Sequence, residues 1–201
     1  MPEWLDIPVW LIAFLIALPV GTLVEYWAHR LMHWRLLKKK HAEHHRDGWG
    51  QGWLGEFFDY AVGTLPIMPV GFLYSVEAGI GFAAGAVVYA AFAAYSHQLQ
   101  HEKPELCFWM VRPVHYLHHY KHMWKKNFGI SFDIWDRVFG TYQKVEWTRP
   151  PRGSWLGLFR IHWFRAAVEK PGLEPKKAGV EAPPAVGVEQ NGEVALSSRQ
   201  E

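Results

Sequence analysis

Ten of the twelve histidines fall into an ordered pattern that occurs twice along the chain. His29 and His33 are spaced HxxxH, and His41, His44 and His45 are spaced HxxHH; His97 and His101 then repeat HxxxH, and His115, His118 and His119 repeat HxxHH. Residues three or four apart on a helix share a face, so His29 can point the same way as His33, and His41 the same way as His44 and His45. Neutral imidazole is a good ligand for Fe, Zn, Cu and Ni, and ten imidazoles suit two ions with about five nitrogens each. A single HxxxH would say little, because a lone histidine on an apolar face is ordinarily a hydrogen-bonded core residue. The complete ordered set is far harder to reach by accident, and a metal-buffering tract would be contiguous and low in complexity. No box carries a carboxylate at a matching position: Glu43 and Glu102 lie between or beyond the histidines.

The apolar runs decide where such a centre can sit. Half of the 201 residues are hydrophobic, and the net charge of +2 makes no general case for nucleic acid. The single Cys107 forms no internal disulfide and builds no thiolate site. Ile7 to Ala28 is apolar except for Glu25, and as a helix it would span about 33 Å, enough for a bilayer core of about 30 Å. A cleaved signal peptide would begin with basic residues. Here the start is acidic (Glu3, Asp6) and the basic residues Arg30, Arg35, Lys38, Lys39 and Lys40 follow the run, the charge order of a retained helix whose far end is cytoplasmic. Phe57 to Tyr74 is a second run, weakened by Asp59, Pro66 and Pro69, which spans with a kink or only dips in. Ala78 to Tyr95 is the third, with Gly81 and Gly85 spaced for close helix packing.

This order of segments carries the chain in, out and back, so both halves of the histidine pattern emerge on one side. A re-entrant hairpin in place of two full spans gives the same result. Gly153 to Lys170 mixes aromatic residues with arginines and reads as an interfacial amphipathic helix or a packing helix of a cytosolic cap. Residues 171–201 are Pro, Gly, Glu, Lys and Ala with almost no aromatics, a disordered tail without a site. The expected organisation is a membrane domain over 1–170 followed by that tail. It is an all-α integral membrane protein with three, or four, transmembrane or re-entrant helices and a cytosolic helical cap around the histidines.

From Glu25 to Tyr142 the sequence resembles the fatty acid hydroxylase and sterol desaturase superfamily. Glu25-Tyr26-Trp27-Ala28-His29-Arg30 is similar to the family's EYxxHR opening, and the four boxes follow in the family's order. Asn127-Phe128-Gly129-Ile130-Ser131 and Trp135-Asp136-Arg137-Val138-Phe139-Gly140-Thr141 are similar to its closing NFGxS and WDxxFGT segments. The boxes are shared with acyl desaturases and carotenoid hydroxylases; the closing segments narrow the choice. The resemblance implies that the ten histidines ligate two iron ions (zinc in isolated protein is a further option). It also implies O₂-dependent hydroxylation or desaturation of a lipid drawn from the bilayer. Electrons would come from an external carrier of the cytochrome b5 or ferredoxin type. In the hydroxylase branch another histidine follows the last box, which makes His122 a further ligand or a supporting residue. The chain shows no obvious electron-carrier domain, its first box has three intervening residues where some members have four, and it has three apolar segments where many have four, so subfamily and substrate stay open.

Glu25, one helical turn before His29, either accepts an imidazole N–H and fixes its tautomer or pairs with Arg30 or Lys39. Asp136 has a similar supporting role or caps a turn. Asn127-Phe128-Gly129 reads as a turn with glycine supplying the unusual backbone angles. Trp109, Trp124, Trp135 and Trp147 read as membrane-interface anchors. Lys125 and Lys126 meet anionic headgroups or an acidic electron donor, or are simply solvated. Two rivals stand beside the oxygenase. A zinc lipid hydrolase would want a carboxylate base, as in HExxH, which the boxes lack. A metal carrier would want a polar path through spans that hold only Glu25 and Asp59.

Overall fold

Two long apolar helices set the frame. Helix α1 (Val9–Met32) grows out of the first apolar run and continues a turn beyond it. Between α1 and α4 lie α2 (Lys38–Asp47) and α3 (Trp53–Thr64). Helix α4 (Val76–Glu102) opens on Ser75, whose hydroxyl accepts from the Ala78 amide at 3.0 Å, with Glu77 in the first turn where the helix dipole favours negative charge. It runs past the expected Ala78–Tyr95 stretch through His97 and His101. The computed structural model describes residues 7–34, 38–47 and 50–164; the expected tail over 171–201 lies outside them. Among the described residues there is no strand, and α1 and α4 are the two helices long and apolar enough to cross a membrane.

Helices α1 and α4 lie side by side and point the same way. A Cβ on Gly81 would fall 2.1 Å from the Trp10 carbonyl oxygen, and one on Gly85 2.5 Å from that of Phe14, so the two backbones touch where the sequence supplies small residues. Further along, the Tyr89 ring covers Gly21 and its hydroxyl donates to Glu25 at 2.7 Å. Ala13, Ala17 and Phe82 fill the seam. Ile12, Leu15, Ile16, Ile80, Val87 and Val88 face outward, an apolar surface suited to lipid.

Two parallel helices require the chain to return between them, and it does so in a broken segment. The return begins where Gly52 donates to Gln98 Oε1 at 3.0 Å, and a 3-10 turn, Met68–Leu73, brings Gly71 against Ala78 and Gly79. It thus follows α4 from one end to the other. The run 57–74 is not one helix: α3 has 12 residues, about 18 Å, and stops before Pro66, while Pro69 sits in the first turn of the 3-10 segment, where its missing N–H costs nothing.

Beyond α4, the short helices α5 (Val114–Tyr120) and α6 (Ile134–Val138) pack over the shared end of α1 and α4. Leu99, Leu106, Cys107, Met110, Val114 and Ile161 form a core between the end of α4 and the start of α5, and burial pushes the Cys107 thiol up to about 12. The helix expected over 153–170 does not form in its described part, which is a 3-10 turn, Trp155–Phe159, followed by irregular chain; 165–170 lie outside the described residues. Its carbonyls are committed elsewhere: Leu158 accepts from the Tyr95 hydroxyl at 3.0 Å, and His162 and Trp163 accept from the Trp53 and Leu54 amides at 2.8 and 3.0 Å. A helix would have consumed those acceptors internally. Two of the expected interface tryptophans also tie segments of the chain together. Trp109 donates to the Ser131 carbonyl at 3.0 Å and Trp135 to the Thr22 hydroxyl at 2.8 Å.

Candidate metal centre

The ten histidines converge at the C-terminal ends of α1 and α4, and they sort into two nitrogen groups that cut across the boxes. His29, His33, His41, His45 and His118 form the first; His44, His101, His115 and His119 form the second. His97 joins the second, its Nε2 lying 3.3 Å from His101 Nε2 and its ring 4.5 Å from that of His115. The expectation that His41, His44 and His45 share one face is therefore corrected. At 100° per residue His41 and His45 nearly align, but His44 diverges from His45 by a quarter-turn and enters the other group. His118 does the same on α5. Each half of the chain supplies four histidines to its own group and one to the other.

Two main-chain carbonyls fix tautomers in the first group. His29 Nδ1 donates to the Phe128 carbonyl at 2.6 Å, and His118 Nδ1 to that of Lys126 at 2.7 Å. A carbonyl only accepts, so both Nδ1 atoms carry the proton and both Nε2 atoms turn a lone pair inward. His118 Nε2 lies 3.1 Å from His33 Nε2 and 3.2 Å from His45 Nε2; His41 Nε2 lies 3.2, 3.0 and 3.1 Å from those of His29, His33 and His45. In the second group His115 Nε2 lies 3.2 Å from His101 Nε2. Each ring nitrogen has one proton or one lone pair, so hydrogen bonds cannot satisfy such a mesh.

A cation can. Imidazole nitrogens about 2.1 Å from one ion and at right angles to each other stand about 3 Å apart, the spacing seen. His119 buries both ring nitrogens without a hydrogen-bond partner, which suits a ligand and no ordinary core histidine. Burial, reinforced by neighbouring imidazoles, lowers His33 to about 3, His41 and His45 to about 2, and His115 and His119 far below their ordinary value. His118 is lowered to about 4 by burial. These groups are neutral at physiological pH, the form that binds metal.

The segment that holds His29 is itself held. Glu25 is corrected on both expected partners: it touches neither an imidazole nor Arg30 or Lys39. It is buried and accepts from the Ile130 and Ser131 amides, both at 2.9 Å, and from the Ser131 and Tyr89 hydroxyls at 2.5 and 2.7 Å. Asp136, fully buried, accepts from the Phe128 and Gly129 amides at 2.8 and 2.7 Å and from the Thr141 hydroxyl at 2.6 Å. Two carboxylates thus grip four consecutive amides, 128–131, and the Phe128 carbonyl grips His29. Burial raises the Asp136 carboxyl, against the pull of Thr141 and the two amides. In the turn, Asn127 takes the positive φ (58°); Gly129 is needed for space, since a Cβ there would lie 2.1 Å from the Phe132 carbonyl oxygen.

Two positions escaped the sequence reading, and a third was read only as an interface anchor. Glu56, buried on α3, lies 3.0 Å from His97 Nδ1 and accepts from the Gln51 amide at 2.9 Å, the carboxylate–imidazole arrangement that orients a ligand. An acid at the start of an apolar run was the available signal. Gln100, fully buried, donates to the Ile130 carbonyl at 2.6 Å and accepts from the His115 amide at 3.1 Å, joining the gripped turn to α5. Trp124 lies against the site, its ring 4.6 Å from that of His33 and 5.1 Å from that of His45. His122 is exposed with φ 50° and belongs to neither group.

Compared with known proteins, residues 14–141, well over half of the chain, match the sequence model of the fatty acid hydroxylase family. The chain belongs to the fatty acid hydroxylase family. No curated protein and no solved structure matches it. The matched stretch runs from within α1 to Thr141 and so contains all ten histidines, Glu56 and the turn gripped by Glu25 and Asp136. Membership of the hydroxylase family points to an oxidoreductase acting on lipids in a membrane.

Proposed function

We propose that this protein is an integral-membrane di-iron oxygenase that inserts oxygen into a lipid C–H bond. The observation that carries it is the double mesh of inward-facing imidazole nitrogens beneath an apolar helical pair. The five histidines of the first group, and His44, His97, His101, His115 and His119 of the second, would each hold one iron. When bound, the irons would supply activation of O₂ for attack on an unactivated C–H bond, chemistry that no amino-acid side chain offers.

The chain's own part is positioning. The Phe128 and Lys126 carbonyls hold His29 and His118 with the lone pair inward, the Glu56 carboxylate stands 3.0 Å from His97 Nδ1, and α1 and α4 bring the acyl chain of the lipid to the site from the bilayer. The reading includes three crossings, the broken return along α4 being the middle one. The site and the C-terminus then face the cytoplasm, in keeping with Arg30, Lys39, Lys121, Lys125 and Lys126 at that end. Desaturation on the same scaffold differs only in substrate placement. The zinc hydrolase is disfavoured by the ligand sets: among the described residues neither nitrogen group includes a carboxylate, and Glu56 is engaged by His97 and Gln51.

Metal content and O₂ uptake of the detergent-solubilised protein, loaded with Fe(II), supplied with reductant and offered membrane lipid extract, test the reading. About two irons per chain and O₂-dependent gain of oxygen in a lipid, lost in His41→Ala and His118→Ala, is the expected result. Two tightly held zincs, with lipid cleavage and no O₂ uptake under iron loading, would overturn it.

A further inference from the structure

Hydroxylation consumes electrons that the chain does not carry: C–H, O₂, two electrons and two protons give C–OH and water. The electrons need a way in through the protein surface, and one surface feature touches the site. A cleft of about 650 Å³ is lined by Lys121, Trp124, Lys125, Lys126 and Lys144, with Glu146 as its acidic member. Glu146 offsets little of this charge, because it is almost fully exposed and 3.9 Å from Lys144.

The floor of this basic cleft is continuous with the first nitrogen group. Trp124 stands edge-on to the rings of His33 and His45, with interplanar angles of 77° and 62°, and the Lys126 carbonyl holds His118 Nδ1. Three of the five imidazoles in that group are therefore in contact with residues that also line the cleft. Lipid headgroups need the lysines alone; a lysine rim around an aromatic ring that reaches buried ligands fits a redox protein.

We propose that this cleft docks an acidic one-electron carrier protein, and that Trp124 is the contact across which each electron passes toward His33 and His45. The carrier is oxidised by one electron in each of two encounters, and solvent supplies the protons. The proposal rests on the oxygenase reading. Complementary charge would speed encounter and make it salt-dependent.

The test uses the full chain in phosphatidylcholine nanodiscs with two acidic probes, a two-iron, two-sulfur ferredoxin and a cytochrome b5 haem domain. Their binding is measured by interferometry across a salt series. In Lys125→Glu/Lys144→Glu, binding of at least one probe is expected to weaken about tenfold or more at low salt, while lipid oxygenation on admitting O₂ to dithionite-reduced, desalted protein is unchanged. Equal binding to wild type and variant, or no binding of either probe to wild type, overturns the docking site. An effect of the substitutions that appears only in phosphatidylserine discs also overturns it, assigning the lysines to headgroups. Failure of dithionite to support lipid oxygenation by wild type strikes instead at the oxygenase reading, and the docking proposal falls with it; success there with groove-indifferent binding leaves the oxygenase standing and removes the docking site alone.

Discussion

His29 Nδ1 donates to the Phe128 carbonyl at 2.6 Å, across 99 positions of sequence, and that carbonyl is immobilised by carboxylates on both sides of its turn. Asp136→Ala would leave the Phe128 and Gly129 amides and the Thr141 hydroxyl without their acceptor. A loss of about 2 kcal/mol or more is expected from such buried groups, with metal affinity lowered about tenfold because His29 is no longer oriented. Thermal melts and a competitive chelator titration measure the two effects. Unchanged metal affinity in a folded variant would separate the turn from the site.

Glu56 bears on one group only. Glu56→Gln replaces the carboxylate facing His97 Nδ1 by a neutral amide, and loosening of about 10- to 100-fold is expected for one of two bound metals. A biphasic chelator titration with one unchanged phase is the expected trace; equal weakening of both phases would show that Glu56 acts on the fold.

His44 and His118 are the two histidines that cross between the groups. His44→Ala is expected to lower metal content at the second group and His118→Ala at the first, each leaving the other ion measurable in spectra of the cobalt-substituted protein. Identical spectra for the two variants would mean that the groups are not separate sites.

The pH dependence has a definite sign. His33, His41, His45 and His118, lowered to about 3, 2, 2 and 4 from an ordinary 6.5, bind more protons unfolded than folded below pH 6.5. Above that pH their contribution is flat. As pH falls from about 6.5 toward these lower values, each costs up to about 1.4 kcal/mol per pH unit. Chelator-treated protein is therefore expected to lose melting temperature steadily between pH 7 and pH 5 and to change little between pH 7 and pH 8. A flat profile down to pH 5 would contradict the burial of these rings.

The histidine set, the two long helices and the close approach at Gly81 and Gly85 were legible because they depend on spacing along one helix. The sorting of His44 away from His45 was not, since it depends on which remote helix lies opposite each face. Glu25 was misjudged for the same reason: its partners, Ile130 and Ser131, lie 105 and 106 residues on. The place of Trp124 against His33 and His45 was not legible, because aromatic composition does not distinguish a lipid neighbour from an imidazole. The break at Pro66 and Pro69 was visible as a weakness in the run, but the 12-residue length of α3 followed only from the packing against α4.

On the di-metal reading, the exchange of His44 and His118 between the halves would also set an order of events during biosynthesis. The nascent chain can insert α1 and make α2 with four imidazoles of the first group in hand, but the fifth arrives only with α5. Neither ion would have its full complement until the second long helix is in place. Complete metal loading would thereby report that the whole domain has been assembled, and a chain arrested before residue 118 would offer the first ion one nitrogen too few.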